Sequence, residues 1–559
     1  MASLNIIIGS EFFRELRENN YCYVDKTCFL EELLDAVPTK VSLITRPRRF
    51  GKTLTLTMLQ EFFDITKDSR ELFAGLSISR NEALCASWMN QYPTIFLTLK
   101  GVEGRNFALA CGMMSNLLQG VCMEHGYLLR SEKVEQDDKT LLGILKKGKG
   151  SEKDMSAALQ VLCRALEAHW GRPAILLIDE YDVPLNHAAQ QGYYQEMIGF
   201  LRNMLGAALK TNPSLKLAVL TGCLRIARES IFTGLNNFKC YGVSDSHFDD
   251  KFGFTAREVD ELLEQSGLTD KKPVLHEWYD GYRFGRTSGI YCPWDVLLYL
   301  SDLQYDPESQ PQAYWKNTSS NAIVRTLVRQ AGPDTRDKIG TLISGGSIEE
   351  RLVEELTYDT VYKHVRNIWS MLYLTGYLTK ASAQPANGAT ALTIPNKEVR
   401  TIFQDTVTLW FEDSLDINAL TLLVTALWDG DAPAVEKMLC DMLYDTISYF
   451  DSAESFYHSF MTGILKGAGL VVRTNRENGL GRSDILIEDG KNRRAMIFEL
   501  KRAATYAELD AKASEALAQI AEKKYSTGLP PQITKVLEYG LAFWEKECRV
   551  TLASKEIVL

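Results

Sequence analysis

VSLITRPRRFGKTLTLTMLQEFF, residues 41–63, opens on an unbroken β-branched apolar run, VSLIT, which reads as a buried strand. A basic loop follows, and then LTLTMLQEFF, whose apolar residues recur at helical spacing. Between strand and helix stand Gly51, Lys52 and Thr53. A loop that delivers a buried strand to a helix N-terminus gathers backbone N–H groups and the positive end of the helix dipole, a seat for phosphate. In such a loop the lysine reaches the outer phosphates and the threonine hydroxyl ligates Mg²⁺. Arg46, Arg49, Phe50 and Gly51 complete the expected nucleotide contacts. The general pattern GxxxxGK[ST] has glycine where this chain has Arg46, so the match is incomplete. These residues suit ATP or GTP.

Working outward, RPAILLIDEYDVPL (172–185) is a second continuous apolar run, and it ends in acids. Burial on both faces implies a parallel sheet covered by helices. Asp179 stands where that strand ends, placed to hold Mg²⁺ through water, and Glu180 is placed to polarise the water attacking a γ-phosphate. The plainer reading of Asp179 is a turn or helix-cap aspartate. Asp182 orients the turn. LKLAVLTG (215–222) is a third such strand, and Thr221 at its end is set to touch the γ-phosphate or the water. Beyond it, Arg225 and Arg228 either neutralise transition-state charge, in cis or across a subunit interface, or make surface ion pairs. With TIFLTL (94–99) and the helical MSAALQVLCRALEAHW (155–170), strands and helices alternate. The first ~240 residues read as a doubly wound α/β domain.

Composition sets the class. With 559 residues the chain is long enough for about three domains. Its 45% hydrophobic and 24% charged residues are ordinary for globular protein. No apolar run approaches membrane-spanning length, and the N-terminus lacks a basic region followed by a long apolar core. Eleven scattered cysteines without CxxC spacing read as reduced thiols of a cytoplasmic protein. The seven histidines form no HExxH or other metal cluster. Residues 447–559 hold 16 Lys and Arg against 15 Asp and Glu, leaving 46 against 57 elsewhere. The C-terminal region is thus the part least repulsive to a polyanion.

After the core, FGFTAREVDELLEQSG starts a helix with Thr255 and Glu258 at capping-box spacing, suited to a lid. WYDGYRFGRTSGIYCPW is aromatic and Gly-punctuated. Its rings either stack bases or pack lid against core, and packing is the plainer role. Residues 340–412 read helix, hairpin, helix, like part of a winged-helix module; with no basic cluster beyond Lys380, a connector is the expectation. In the last hundred residues GRSDILIE and AMIFELK flank EDGKNRR. Side-chain alternation puts Glu499 and Lys501 on one strand face, and a hairpin looping at 489–494 brings Asp484 beside Phe498 and Glu499. Two carboxylates and a lysine then converge, a Mg²⁺ site with a lysine to position water. Glu454 is an additional acid on the preceding helix, and Gln519 and Tyr525 are supporting polar groups.

YVDKT (23–27), TRPRRFGKT (45–53), LIDEYD (177–182), TGCLRIARESIFTGLNNF (221–238), FGFT (252–255) and WYDGYRFG (278–285), in that order, resemble the bacterial AAA-ATPase-like family. Its members commonly carry a C-terminal PD-(D/E)XK nuclease-superfamily domain, and Asp484, Glu499 and Lys501 match that pattern residue by residue. In that family arginine stands where Arg46 does, so the resemblance implies ATP. It also implies a layout of a P-loop ATPase core at 1–245, a helical lid at 246–335, a helical and winged-helix-like connector at 336–446 and a restriction-endonuclease-like α/β domain at 447–559. The expected function is an ATP-regulated, Mg²⁺-dependent DNA endonuclease. The alternative is an ATP-dependent switch that holds nucleic acid or a protein partner without cutting. Homo-oligomerisation is compatible with either.

Overall fold

The structure, a computed structural model of the chain, describes all residues except 1–3, 37–38, 227–231, 233–236, 316–321, 330–332, 362–364, 415–416, 447–453, 479–480 and 557–559. The chain forms two compact units that interleave in sequence. One comprises Met1–Trp315, Glu350–Thr390 and Pro395–Glu398; the other comprises Lys316–Glu349, Ala391–Ile394 and Val399–Leu559.

In the first unit β1 (Val41–Thr45), β2 (Thr94–Thr98), β3 (Ala174–Asp179), β4 (Leu215–Gly222) and β5 (Phe238–Tyr241) form one sheet in the order β2-β3-β4-β1-β5. Every ladder in it is parallel. β1 and β3 are buried at every position, because a strand covered on both faces has no polar side to show. Parallel neighbours need crossovers, and helices supply them. α1 (Lys52–Phe63) follows β1, and Glu152–Trp170 precedes β3. The latter starts on a reciprocal Ser151–Asp154 capping box and stops at left-handed Gly171. In the ladders Thr45 pairs with Gly222 and Ile178 with Leu220, so the loops leaving β1, β3 and β4 open on one crevice.

Farther along, α2 (Ala256–Ser266) and α3 (Pro293–Tyr305) share a core of Val259, Leu262 and Leu263 with Val296, Leu300 and Leu303. Thr255 and Glu258 cap α2 reciprocally, at the spacing read from the sequence. In the winged-helix-like stretch the helices Val365–Leu374 and Lys397–Ser414 and the strands Thr379–Lys380 and Thr390–Thr393 are formed, and the division between units runs through it.

In the second unit α4 (Ile417–Asp429), α5 (Ala432–Thr446) and α6 (Glu454–Gly467) lead into β6 (Val472–Asn478), β7 (Gly481–Asp489) and β8 (Arg494–Arg502). α7 (Leu509–Lys523), β9 (Lys535–Trp544) and β10 (Glu547–Glu556) complete it. The sheet runs β6-β7-β8-β9-β10 and is antiparallel except for β8 and β9, whose parallel pairing is bridged by α7. α4 and α5 dock on this sheet. Glu436 accepts Val550 N at 3.0 Å and pairs with Arg549 at 2.9 Å, Tyr539 OH donates to Leu427 O at 2.6 Å, and Arg494 lies 4.0 Å over the Trp428 ring. The whole is a mixed α/β protein: a parallel sheet with helices, a helical middle and a C-terminal mixed sheet.

Candidate active sites

At the first site Gly51 caps α1 with φ of 81°, a left-handed conformation that glycine takes without strain. The helix therefore aims its N-terminus into the crevice, with Lys52 and Thr53 as its first residues. Lys52 is almost wholly buried, and its Nζ donates to the carbonyls of Arg46 (3.1 Å) and Pro47 (2.8 Å), bracing the loop from inside. Thr53 Oγ1 donates to Asp179 Oδ2 at 2.8 Å and Thr221 Oγ1 to Asp179 Oδ1 at 2.6 Å. The ends of β3 and β4 and the start of α1 thus meet at one carboxylate that is fully buried. Among the described residues no cation lies within ion-pairing distance of Asp179, and the hydrogen bonds to its carboxylate come from the hydroxyls of Thr53, Thr98 and Thr221. That is a setting for a hard cation.

Glu180 follows at φ of 50°, unusual for a residue with a side chain. Burial pushes its carboxyl up, and the Lys52 charge opposes that. Asp182 does not point to chemistry. Its Oδ2 accepts the backbone N–H groups of Cys223 (3.1 Å) and Leu224 (3.0 Å) and the Tyr358 hydroxyl (2.9 Å), tying down the turn after β4. Tyr358 escaped sequence reading, since nothing local marks a tyrosine whose partner is 176 positions away.

The other loop residues divide. The Arg46 guanidinium is buried and donates to the carbonyls of Thr45, Tyr241, Gly242 and Phe248 at 2.8–3.1 Å, with burial holding its pKa down at about 10. Expected as a nucleotide contact, it instead staples the loop to the chain after β5, because those carbonyls absorb its donors. Phe50 likewise packs edge-on against Tyr282 and Phe284 at 5.0 and 5.2 Å. The aromatic stretch is therefore packing, and Gly281 in it lets the Pro395 carbonyl come within 2.0 Å of where a Cβ would stand. Arg49, at φ of 71°, lies 4.8 Å over Trp294, and its Nη1 is buried without a hydrogen-bond partner among the described residues. Arg225 pairs with Glu355 at 2.9 Å, because its short strand is laddered to Glu355–Leu356. This is the plainer of its two readings. Arg228 lies outside the described residues. Arg48, absent from the expected set, is the exposed cation of the loop, in the field of Glu180 and Asp182.

At the second site the β7–β8 ladder pairs Ile485 with Phe498, in the register expected from the hairpin, which sets Asp484 next to Glu499. Asp484 Oδ2 accepts Leu500 N at 2.8 Å. Glu499 is buried, Lys501 Nζ lies 3.4 Å from its Oε1, and Gln519 of α7 donates to that same oxygen. The Tyr525 hydroxyl accepts from Gln519 at 3.4 Å. Among the described residues Glu499 Oε2 is buried with no hydrogen-bond partner, and the carboxyl is pushed up to about 7, by burial first and by the Asp484 charge second, with Lys501 opposing. The side chain of Glu454 lies outside the described residues. One turn on from it, His458 Nε2 donates to the Asp484 carbonyl at 3.1 Å. Its i,i+4 spacing from Glu454 was the available signal. Among the described residues no three His, Cys, Asp or Glu side chains gather as a metal cluster. Two carboxylates are nevertheless what Mg²⁺ uses when water fills the rest of its shell.

Comparison with known proteins covers the two stretches in which these sites lie. Residues 7–232 match the family described as "Predicted AAA-ATPase", and residues 452–552 match the PD-(D/E)XK nuclease superfamily. A protein of Azotobacter chroococcum mcd 1, described as "Uncharacterized protein in vnfD 5'region", is 25% identical over 543 residues, covering 94% of each chain. No helix among the described residues is long and apolar enough to cross a membrane. The crevice built on Asp179 and the hairpin built on Glu499 thus fall one in each matched stretch, and the chain joins an AAA-ATPase-like domain to a C-terminal PD-(D/E)XK nuclease-superfamily domain.

Proposed function

We propose that this protein binds and hydrolyses ATP at the first site and cleaves DNA at the second, with Mg²⁺ at both and the nuclease under nucleotide control. The observation that carries the reading is the unpartnered, buried Oε2 of Glu499 beside Asp484 and Lys501. A buried carboxylate oxygen without a donor is costly by about 1–3 kcal/mol or more unless a cation or proton answers it. Asp484 and Glu499 supply hard oxygens for the cation at that site, and Thr53 and Asp179 supply them at the other. Bound there, Mg²⁺ would neutralise charge developing on a phosphoryl oxygen. Gln519 holds the Glu499 carboxylate in orientation, and Lys501, on the same strand face, stands ready to orient water or to meet charge at the scissile phosphate. In the crevice Lys52 faces the outer phosphates once it leaves its loop carbonyls, and Glu180 is the group poised to align attacking water.

The test is incubation of the protein with plasmid, linear DNA and RNA, with and without Mg²⁺ and ATP. Asp484→Ala should lose cleavage and keep ATP hydrolysis. Cleavage that persists in Asp484→Ala would sink the assignment. A protein that cuts nothing under any condition would favour the other reading, a nucleotide switch that holds a polymer or protein without cutting it. One observation favours that second reading: the near balance of charge over 447–559, 16 basic against 15 acidic residues, is modest for a DNA-cutting surface.

A further inference from the structure

Cys440 and Cys548 lie 108 positions apart in sequence, on α5 and β10, yet their sulfurs are 3.5 Å apart. The contact is built. Cys548 N–H donates to Cys440 Sγ at 3.4 Å, Cys548 Sγ is directed to the Glu436 carbonyl at 3.5 Å, and Glu436 itself fastens α5 to β10 through Val550 and Arg549. The two thiols are not equivalent. Cys548 is completely buried, whereas Cys440 is partly exposed. The hydrogen bond from Cys548 holds the Cys440 thiol below its ordinary pKa, while Cys548 is pushed well above it, first by the same contact and then by burial. A partly exposed thiol biased toward thiolate, with a second sulfur behind it, is the arrangement of an attacking and a resolving cysteine.

We propose that Cys440 and Cys548 form a redox-responsive pair, oxidised by small-molecule disulfides such as oxidised glutathione to an intrachain disulfide that locks α5 onto the edge strand of the nuclease-like sheet. Cys440 gives its proton to solvent and attacks one sulfur of oxidised glutathione. That disulfide breaks, one glutathione thiolate leaves, and Cys440 carries the other as a mixed disulfide. Cys548 then loses its proton and attacks the Cys440 sulfur, and the second glutathione leaves as thiolate. The two electrons depart in the two released thiols. Closing the pair to a bond of about 2.0 Å requires an approach of roughly 1.5 Å, within reach of side-chain rotation.

The full chain is incubated with oxidised glutathione, denatured, alkylated with N-ethylmaleimide and analysed by intact mass and peptide mapping. The expected result is that the eleven alkylatable thiols fall by two, with no glutathione mass retained and a cross-linked peptide pair containing Cys440 and Cys548. Cys440→Ser should lose the cross-link altogether, and Cys548→Ala should hold a lasting glutathione adduct on Cys440. Cys440, being partly exposed, tests the idea even if the buried substitution impairs folding. A parent chain that keeps every thiol, that stops at the mixed disulfide, or that links other cysteines overturns the proposal.

Discussion

Asp179 shows how one side chain organises a site, since it draws in Thr53 from the first turn of α1 and Thr221 from the end of β4. Removing the lysine of the loop and removing the acid that follows Asp179 should give different defects. Lys52→Ala should abolish ATP hydrolysis and weaken nucleotide binding sharply. Glu180→Gln should bind like the parent but turn over at least about a hundred-fold more slowly, because it loses only the group aligned with water. Titration calorimetry and a phosphate-release assay separate the two, and equal affinity in both variants would contradict the assignment. At this scale the sequence was a good guide to position: Gly51-Lys52-Thr53 stand at the head of a helix, Asp179 ends a buried strand, and the hairpin sets Asp484 next to Glu499 with Lys501 two residues on. It was a poor guide where a charged side chain serves the backbone. Arg46 looked like a phosphate ligand because it is basic and sits in the loop, and only the fold reveals the carbonyls that occupy it. Replacing it with methionine should cost about 3 kcal/mol or more in urea unfolding, since several buried carbonyls lose their donor together. A variant that unfolds like the parent yet fails to bind nucleotide would return Arg46 to the ligand.

At the scale of elements, continuous apolar runs gave β1 to β4 but not β5, whose FKCY has no such run, and the capping-box spacing gave the start of α2. The hairpin register followed from where its loop had to be. β9 and β10 were not read, although KVLEYGLAFW is buried almost throughout. Its apolar run resembles a short helix until a partner strand is known. Contacts between elements were still less visible. Asp295 in the first turn of α3 and Glu398 at the start of Lys397–Ser414 are both fully buried, and Glu398 accepts Trp315 N at 2.7 Å. Burial raises both carboxyls, and the Asp295 charge raises Glu398 further. The folded state therefore keeps protons that the unfolded chain sheds above about pH 4. Stability contributed here is greatest in acid and falls as pH rises through the raised values, the reverse of an ion-paired carboxylate. Glu398→Gln retains the acceptor and removes the titration. Its melting temperature should gain on the parent's between pH 5 and pH 8, and parallel pH profiles would refute this.

For the molecule as a whole, the interleaving of the units is what no local pattern displayed. The chain passes between them at 315/316, 349/350, 390/391, 394/395 and 398/399. On the proposed reading, that continuity is the route by which nucleotide state would reach the nuclease, which requires that ATP favour one arrangement over another. DNA affinity and cleavage rate should differ by several-fold among nucleotide-free, ADP-bound and non-hydrolysable-ATP forms. Identical values would leave two independent enzymes on one chain. The hydroxyl of Tyr358 on Asp182 has a further bearing, on heredity. A recombination that exchanged everything after residue 315 would carry off Tyr358 along with the nuclease, leaving Asp182 and the turn it secures without that donor. A crossover after residue 398 would instead keep Tyr358 with Asp182. The stretch that must be inherited whole to keep this contact therefore runs well past residue 232, where the first domain match ends.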